Sequence, residues 1–253
     1  MRENIFLLRK HLLPSLFNLR RMRQALGAFR LYAQDWRSYA ALPDAEPLRV
    51  EDAYPCLYDR IATHPIDAHY FYQDIWAFKA ILAAGTQEHV DVGSRAILVG
   101  MLTAITRTVF VDIRPLDITL DNYTSRPGSI LTLPFADKSV ASLSCLHVAE
   151  HIGLGRYGDP LDPLGTQKAT AELSRVLAAG GHLYFSVPVG KPCVCFNAHR
   201  IHSPQQILDY FPNLTLLDFS AVDDGGNFRP HIDTAELTDA NYACGLFHFT
   251  KLE

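Results

Sequence analysis

The sequence predicts an α/β fold with a mostly parallel sheet covered by helices on both faces and preceded by a helical N-terminal extension. From residue 66 onward, short apolar runs alternate with helical patterns, which is typical of βαβ units. One apolar run ends at Asp91 and Gly93, and the next ends at Asp112, about 20 residues later, the spacing of a nucleotide-binding βαβ unit. Hydrophobic residues make up 48% of the 253 residues, enough for a packed core.

Residues 1–65 are predicted to form a helical extension and a linker, and residues 66–253 one α/β domain. The first forty residues are rich in arginine, and their apolar positions indicate amphipathic helices that Pro14 breaks or kinks. Such a helix either packs on the domain or on a second subunit, as in a homodimer, or lies peripherally on an anionic membrane surface. The sequence leaves these alternatives open.

The remaining elements follow in chain order. Residues 68–82 are predicted to form a helix that ends at Gly85. After it we expect strands near 89–92, 108–112, 129–132 and 140–146, a helix at about 165–178, a strand at 182–187, a helix near 204–210, a strand near 214–220, a turn at Gly225 and Gly226, and a last apolar run at 242–250.

Charge and cysteine content narrow the partners and the compartment. The net charge is −4 and the isoelectric point about 6.2, so no nucleic-acid partner is expected. The five cysteines are odd in number and scattered, which favours a reducing compartment. Because basic residues interrupt the first apolar stretch, we expect neither a signal peptide nor a membrane span, and therefore a cytoplasmic protein.

The Gly93 turn indicates a nucleoside-bearing ligand. Gly93 lacks a Cβ, so the chain can turn sharply and bring backbone N–H groups close to a ligand. A carboxylate at the end of the neighbouring strand can accept both hydroxyls of a ribose, and Asp112 is placed for that role. A pyrophosphate loop would need three glycines, but residues 94–97 contain none. A diphosphate ligand is therefore not expected.

Several segments, taken together and in order, resemble the class I S-adenosylmethionine-dependent methyltransferases. Residues 91–94 are similar to the first motif of that family, and Asp112 to the acidic residue that holds the cofactor ribose. Residues 131–141 are similar to its "LPFxDxSFD" segment, which lies beside the adenine. Residues 147–151 resemble its "hvlEH" segment, and residues 172–181 its "ExxRVLkPGG" segment.

The resemblance implies a Rossmann-like methyltransferase domain that binds S-adenosylmethionine. Within the superfamily the chain most resembles bacterial methyltransferase-like proteins associated with surface-polysaccharide synthesis, which implies a sugar or glycan hydroxyl as the acceptor. The residues expected to bind the cofactor are Asp91, Gly93, Ser94, Asp112, Ile113, Leu133 and His147.

Methyl transfer requires a positioned acceptor and a group that removes its proton. Glu150, His151 and His199 are the predicted catalytic residues, since they follow the fourth and fifth strands, where ligands collect in open α/β sheets. Tyr72 and Arg200 are predicted to bind the acceptor. The alternatives are a core position for Tyr72 and a surface ion pair for Arg200.

A divalent metal ion is a further option at residues 147–151. If this segment begins a helix, His147, Glu150 and His151 share one face. The pattern resembles the Glu-x-x-Glu-His segment of metal-dependent O-methyltransferases, with a histidine in place of the first glutamate, which would favour Zn²⁺, Mn²⁺ or Fe²⁺ over Mg²⁺. The alternative is that Glu150 caps a helix while both histidines pack in the cleft.

Two other functions remain open at this point. The incomplete glycine motif and Ser129, where many relatives place an aspartate, fit a non-catalytic scaffold in a glycan-assembly complex. A metal-dependent O-methyltransferase acting on another small hydroxyl compound is the second alternative. A nucleic-acid methyltransferase is disfavoured by the acidic balance of residues 41–253.

Overall fold

The computed structural model describes residues 19–252, and the chain divides into two units, Met1–Pro65 and Ile66–Glu253. In the first unit, helix α1 spans Leu19–Ala40 and a short 3-10 turn spans Val50–Asp52. Arg60 forms an ion pair with Asp35 of α1. The part of the predicted amphipathic helices that precedes residue 19, including Pro14, lies outside the described residues.

Within the described residues, the second unit holds an eight-stranded sheet, a small hairpin and helices. The helices are α2 (Ala68–Ala84), α3 (Ala96–Leu102), α4 (Gly165–Val176) and α5 (Pro204–Tyr210), with 3-10 turns at Ala149–His151 and Thr234–Leu237. The sheet strands are β1 (Glu88–Val92), β2 (Arg107–Asp112), β3 (Tyr123–Pro127), β4 (Val140–Leu146), β5 (Leu177–Val189), β8 (Thr215–Val222), β9 (Phe228–Arg229) and β10 (Ala243–Thr250), and the hairpin pairs β6 (Cys193–Cys195) with β7 (His199–Ile201).

The strand order in the sheet is β3-β2-β1-β4-β5-β10-β8-β9. Strands β1 to β5 are parallel, whereas β10 is antiparallel to both β5 and β8. The predicted mostly parallel α/β sheet is confirmed. The carboxyl ends of β1, β2, β4 and β5 therefore meet at one edge, where ligands bind in such sheets.

Local signals explain where two of the helices begin and end. The Asp67 side chain accepts a hydrogen bond from the Tyr70 amide at the start of α2, and Gly85 ends that helix with a φ of 61°. At the start of α5, Ser203 and Gln206 form a reciprocal capping box around Pro204. Both helices begin and end close to the predicted residues.

The core lies on both faces of the sheet because successive strand side chains point in opposite directions. On β5, Leu183 and Phe185 join one hydrophobic cluster with Leu173 of α4, while Tyr184 joins a second cluster with Ile81 of α2. Both clusters are buried. The helices before β1 and after β4 thus cover opposite faces.

The predicted strand at residues 129–132 is wrong. The third strand is β3, at Tyr123–Pro127, and Ser129 and Thr132 form only an isolated bridge within a turn. This edge strand is polar and mostly exposed, so it carries no apolar pattern that a sequence reading could detect. Among residues 19–252, no helix combines the length and apolar character needed to cross a membrane.

Candidate functional site

The turn after β1 is fixed from beneath by buried polar groups. Asp91 is fully buried, and its Oδ1 accepts a hydrogen bond from the Ser94 amide at 3.0 Å. Ser144 of β4 donates to the other carboxylate oxygen of Asp91. The Ser94 hydroxyl accepts the Leu146 amide at 3.2 Å. Gly93 adopts a φ of 70° between these anchors, a conformation that glycine reaches without strain.

Gly93 leaves a narrow gap that a side chain would fill. A Cβ at this position would lie 3.2 Å from both methyl carbons of Val148 and 3.3 Å from Oδ2 of Asp112. The other carboxylate oxygen of Asp112 accepts the Arg114 amide at 2.6 Å. Because Gly93 has no side chain, the Asp112 carboxylate can lie close to its backbone.

We call the cavity that opens here the β1–β2 crevice. Its walls include Gly93 and Asp112 at the strand ends, Ile113 and Leu131 on one side, and Val148 on the other. Of the predicted cofactor residues, four line it, namely Gly93, Asp112, Ile113 and His147. Asp91 and Ser94 do not line the crevice, and their hydrogen bonds hold the turn in its conformation.

Leu133 does not line the crevice, which corrects the prediction for this residue. Its side chain is buried in the core, and its amide donates to Oε1 of Glu172 at 2.6 Å. Ile130 and Leu131 occupy the crevice wall instead.

Beside the crevice lies a buried group of two histidines and one carboxylate. Nδ1 of His147 is 2.8 Å from Oε1 of Glu150, and Nε2 of His151 is 3.6 Å from the same oxygen. Burial disfavours charge on His147, but Cys244 and Glu150 outweigh it and raise the pKa of His147 well above its ordinary value. Burial likewise disfavours charge on Glu150, but His147 lowers the pKa of that carboxyl. The geometry is that of a buried ion pair.

Residues 147–151 do not begin an α-helix, which is the condition on which the metal alternative at this segment depends. His147 has a φ of 55°, and the residues after it form a single 3-10 turn at Ala149–His151. Oε1 of Glu150 is therefore engaged by the two imidazole rings. In the part of the chain that the structure describes, His147, Glu150 and His151 are not gathered as a set of metal ligands.

A second cavity, the α2–β10 cavity, adjoins the crevice and shares His147 with it. Its other walls include His69 and Tyr70 from the start of α2, and Asp224 and Tyr242 from the loops that flank β8 and β10. The His69 ring stacks on Tyr242 with centroids 5.0 Å apart. The Asp224 carboxylate accepts the Tyr242 amide at 2.8 Å, which fixes the loop that carries that ring.

His199 lies close to the same group of side chains, at the start of β7. Its ring centroid is 5.0 Å from that of Tyr242. Burial lowers the pKa of His199, so the ring is unprotonated at neutral pH and can accept a proton. His151 uses Nδ1 to donate to the Ala198 carbonyl at 2.6 Å, which directs its Nε2 towards Glu150.

The two residues predicted to bind the acceptor lie elsewhere. Tyr72 stacks on Phe228 at 5.5 Å and lines neither the β1–β2 crevice nor the α2–β10 cavity, so the core alternative fits it better. Arg200 is buried and donates to the carbonyls of Ile152 at 2.6 Å and Asp162 at 2.9 Å. Because its guanidinium donates to these backbone carbonyls, Arg200 stabilises the loop that follows Glu150.

Sequence reasoning missed three residues at this site, Asp224, Tyr242 and Cys244. Tyr242 and Cys244 lie at the start of the last strand, which pairs with β5 across more than fifty residues of intervening chain, and Asp224 lies in the turn after β8. No local sequence pattern predicts that pairing. His69 and Tyr70 stand out in sequence only as part of an aromatic helix face.

Comparison with known proteins places the chain in a sequence family. The profile of the family described as "Caenorhabditis protein of unknown function, DUF268" matches residues 90–219. This range runs from β1 to β8 and includes the β1–β2 crevice and Glu150. No curated protein matches the chain.

Solved structures show the fold. The N-methyltransferase NodS from Bradyrhizobium japonicum WM9, in complex with S-adenosyl-L-homocysteine, superposes with a TM-score of 0.54 at 15% identity over 87% of this chain and 98% of that chain. A second structure of NodS gives a TM-score of 0.53 at 16% identity over 74% of this chain and 98% of that chain. The protein BH2331 from Bacillus halodurans C-125 gives 0.51 at 13% identity over 71% and 99%. The chain has the Rossmann-like fold of class I methyltransferases.

Proposed function

The chain belongs to the DUF268 family, and we propose that it is an S-adenosylmethionine-dependent methyltransferase that acts on a hydroxyl group of a sugar or glycan. One observation carries the proposal. At the carboxyl ends of two adjacent parallel strands, the missing side chain of Gly93 lets the Asp112 carboxylate lie close to the backbone of the turn, and both residues line the β1–β2 crevice. A nucleoside needs this combination, because its ribose hydroxyls donate to a carboxylate while backbone approaches closely.

The residues of the β1–β2 crevice fit an adenosyl group. Asp112 would accept hydrogen bonds from the ribose hydroxyls, and the backbone of Gly93 lines the crevice beside it. Leu131 and Val148 offer apolar surfaces to the adenine ring. S-adenosylmethionine, when bound, supplies an electrophilic methyl group on its sulfonium. NodS, which shares this fold, was solved with S-adenosyl-L-homocysteine.

The α2–β10 cavity supports a hydroxylated acceptor. Tyr70 and Tyr242 present aromatic faces, while the carboxylate of Asp224 and the amide of Asn241 offer hydrogen-bonding groups. Sugars combine apolar ring faces with hydroxyls, so such a mixed lining suits them. Because His147 lines both cavities, an acceptor there would lie next to the crevice.

The proton of the acceptor hydroxyl needs a base, and His199 or His151 is the group that we propose. The His199 ring is unprotonated at neutral pH, since burial lowers its pKa. His151 holds its Nδ1 proton on the Ala198 carbonyl, which leaves Nε2 as the basic nitrogen. Glu150 contacts both His147 and His151, and its carboxylate would stabilise positive charge that develops on these two histidines.

Binding of S-adenosyl-L-homocysteine to the purified full chain tests the proposal directly. We expect saturable binding by isothermal titration calorimetry and a rise in melting temperature with ligand concentration. Transfer of a labelled methyl group to simple sugars and methyl glycosides would then identify the acceptor class. If neither heat nor a thermal shift is detected at millimolar ligand, the enzyme proposal fails and the non-catalytic scaffold becomes the better account.

A further inference from the structure

Three side chains from separate elements converge beside the α2–β10 cavity, and two of them line it. They are His69 from the first turn of α2, His147 from the end of β4, and Cys244 from β10. Their nitrogen and sulfur atoms all lie within 4.8 Å of one another. His147 and Cys244 are buried, and His69 is half-buried.

His147 provides a second and independent observation. Its Nδ1 is engaged by Oε1 of Glu150 at 2.8 Å, while its buried Nε2 finds no hydrogen-bond partner within the described part of the chain. A buried imidazole nitrogen without a partner is costly unless something binds it. A histidine that donates one nitrogen to a carboxylate and offers the other inward has the arrangement found around metal-ligating histidines.

We propose that His69, His147 and Cys244 form a Zn²⁺ site whose fourth coordination position opens to the α2–β10 cavity. Two imidazoles and one thiolate are the ligand types that Zn²⁺ prefers, whereas Mg²⁺ and Ca²⁺ require oxygen. Zn²⁺ would displace the proton from Nε2 of His147, while Nδ1 keeps its contact with Glu150. Three protein ligands with one open position are typical of zinc sites that bind a water or a substrate oxygen. His69 and His147 line the cavity, so the open position faces it.

The ligand atoms need only a small adjustment to bind the ion. Tetrahedral Zn²⁺ with its usual bond lengths places ligand atoms about 3.5 Å apart, compared with the limit of 4.8 Å here. His69 lies in the first turn of α2 and stacks on the exposed ring of Tyr242, so it can turn towards His147 more easily than a fully buried ring. Glu150 would then act through His147 as a positioning residue.

This site differs from the ligand set predicted from the sequence, since His147 is the only member of both sets. It also stands apart from the proposed cofactor site, because neither His69 nor Cys244 lines the β1–β2 crevice. If that function holds, a hydroxyl bound at the open position would lose its proton more readily than in water. The metal site itself does not depend on it.

Metal titration of the chelator-treated full chain tests the proposal. We expect one Zn²⁺ per chain by calorimetry, and with Co²⁺ in its place a thiolate-to-metal charge-transfer band together with the visible absorption of tetrahedral cobalt. Cys244→Ser should abolish the charge-transfer band, and His69→Ala should weaken Zn²⁺ binding more than Glu150→Gln, for which we expect a loss of about 10- to 100-fold. Absence of stoichiometric Zn²⁺ binding in the natural chain would overturn the proposal.

Two further variants keep the test decisive. Cys193 and Cys195 are exposed thiols on the hairpin, and the double variant Cys193→Ser, Cys195→Ser should retain both the stoichiometry and the charge-transfer band. Loss of the band in that variant would show that cobalt binds the hairpin, contrary to the proposal. If Cys244→Ser does not fold, unchanged Zn²⁺ affinity in His69→Ala overturns the site equally well. Binding of S-adenosyl-L-homocysteine should be unaltered in His69→Ala, so the two proposals can fail separately.

Discussion

The Asp91 carboxylate accepts a hydrogen bond of 3.0 Å from the Ser94 amide, across the glycine that lies between them. This contact closes the turn after β1, and it requires Gly93 to adopt a φ of 70°. The same turn lets the Asp112 carboxylate, which we propose binds the cofactor ribose, lie close to the backbone of Gly93.

Gly93→Ala should weaken binding of S-adenosyl-L-homocysteine at least about 10-fold, a change of about 1.4 kcal/mol. The added methyl would lie 3.2 Å from Val148 and 3.3 Å from the Asp112 carboxylate, so it would displace the carboxylate that we propose binds the ribose. Gly85→Ala is the matched control, because Gly85 has a φ of 61° with no atom within 4 Å of the new methyl. Both variants should lose about 1 to 2 kcal/mol of stability from the left-handed backbone. Equal ligand affinity in the two variants would contradict the placement.

Asp112→Ala should reduce the affinity for S-adenosyl-L-homocysteine by about 10- to 100-fold, since hydrogen bonds to a charged group contribute about 1.5 to 3 kcal/mol. Calorimetry measures the loss. Asp117→Ala removes a nearby exposed carboxylate that does not line the crevice, and its affinity should match that of the natural chain. An unchanged dissociation constant for Asp112→Ala would remove the ribose role from this residue.

Asp91→Asn should change how stability depends on pH. Burial raises the pKa of Asp91 from 3.8 to about 6, although Ser144 and Ser94 oppose the shift. A carboxyl with a raised pKa in the folded state contributes stability that is present below about pH 4 and lost as the pH rises through about 6. The shift of about 2 pKa units corresponds to about 3 kcal/mol.

Urea unfolding of both proteins at a series of pH values measures this effect. Relative to Asp91→Asn, the natural chain should lose about 3 kcal/mol of unfolding free energy between about pH 4 and pH 8. His89 lies in the same buried network, but burial lowers its pKa to about 3, so it stays neutral across this range in both proteins. A difference between the two proteins that does not vary with pH would show that Asp91 does not titrate here.

Arg200→Met should loosen the loop that follows Glu150. The guanidinium donates to the partly buried carbonyls of Ile152 and Asp162, at the two ends of this loop. The Asp162 carbonyl also accepts the Gly165 amide at 3.1 Å, so the main loss is the donor to Ile152, and we expect a cost of about 1 to 2 kcal/mol. We expect a lower urea midpoint and faster proteolysis at residues 153–161. Arg229→Met removes a partly exposed ion pair with Glu236 and should cost less than about 1 kcal/mol. Identical stability and cleavage in the two variants would argue against this role.

The sequence alone determined the main elements and the turn that organises the site. The apolar runs before Asp91 and Asp112, the glycine between the strand and the helix, and the helix ends at Gly85 and Ser203 are local signals. Each depends on a residue's own backbone preferences or on side-chain periodicity within a few positions. Such signals are present in the chain before it folds, and the structure confirms the elements that they predict.

Only the tertiary structure decided which side chains meet at the site. Strand β10 inserts antiparallel between β5 and β8, and this long-range pairing carries Cys244 to His147. After the polar edge strand β3, Leu131 lies in the crevice wall, whereas Leu133 lies in the hydrophobic core. Strand order and register are fixed by the burial of whole sheet faces, so no local sequence pattern records them.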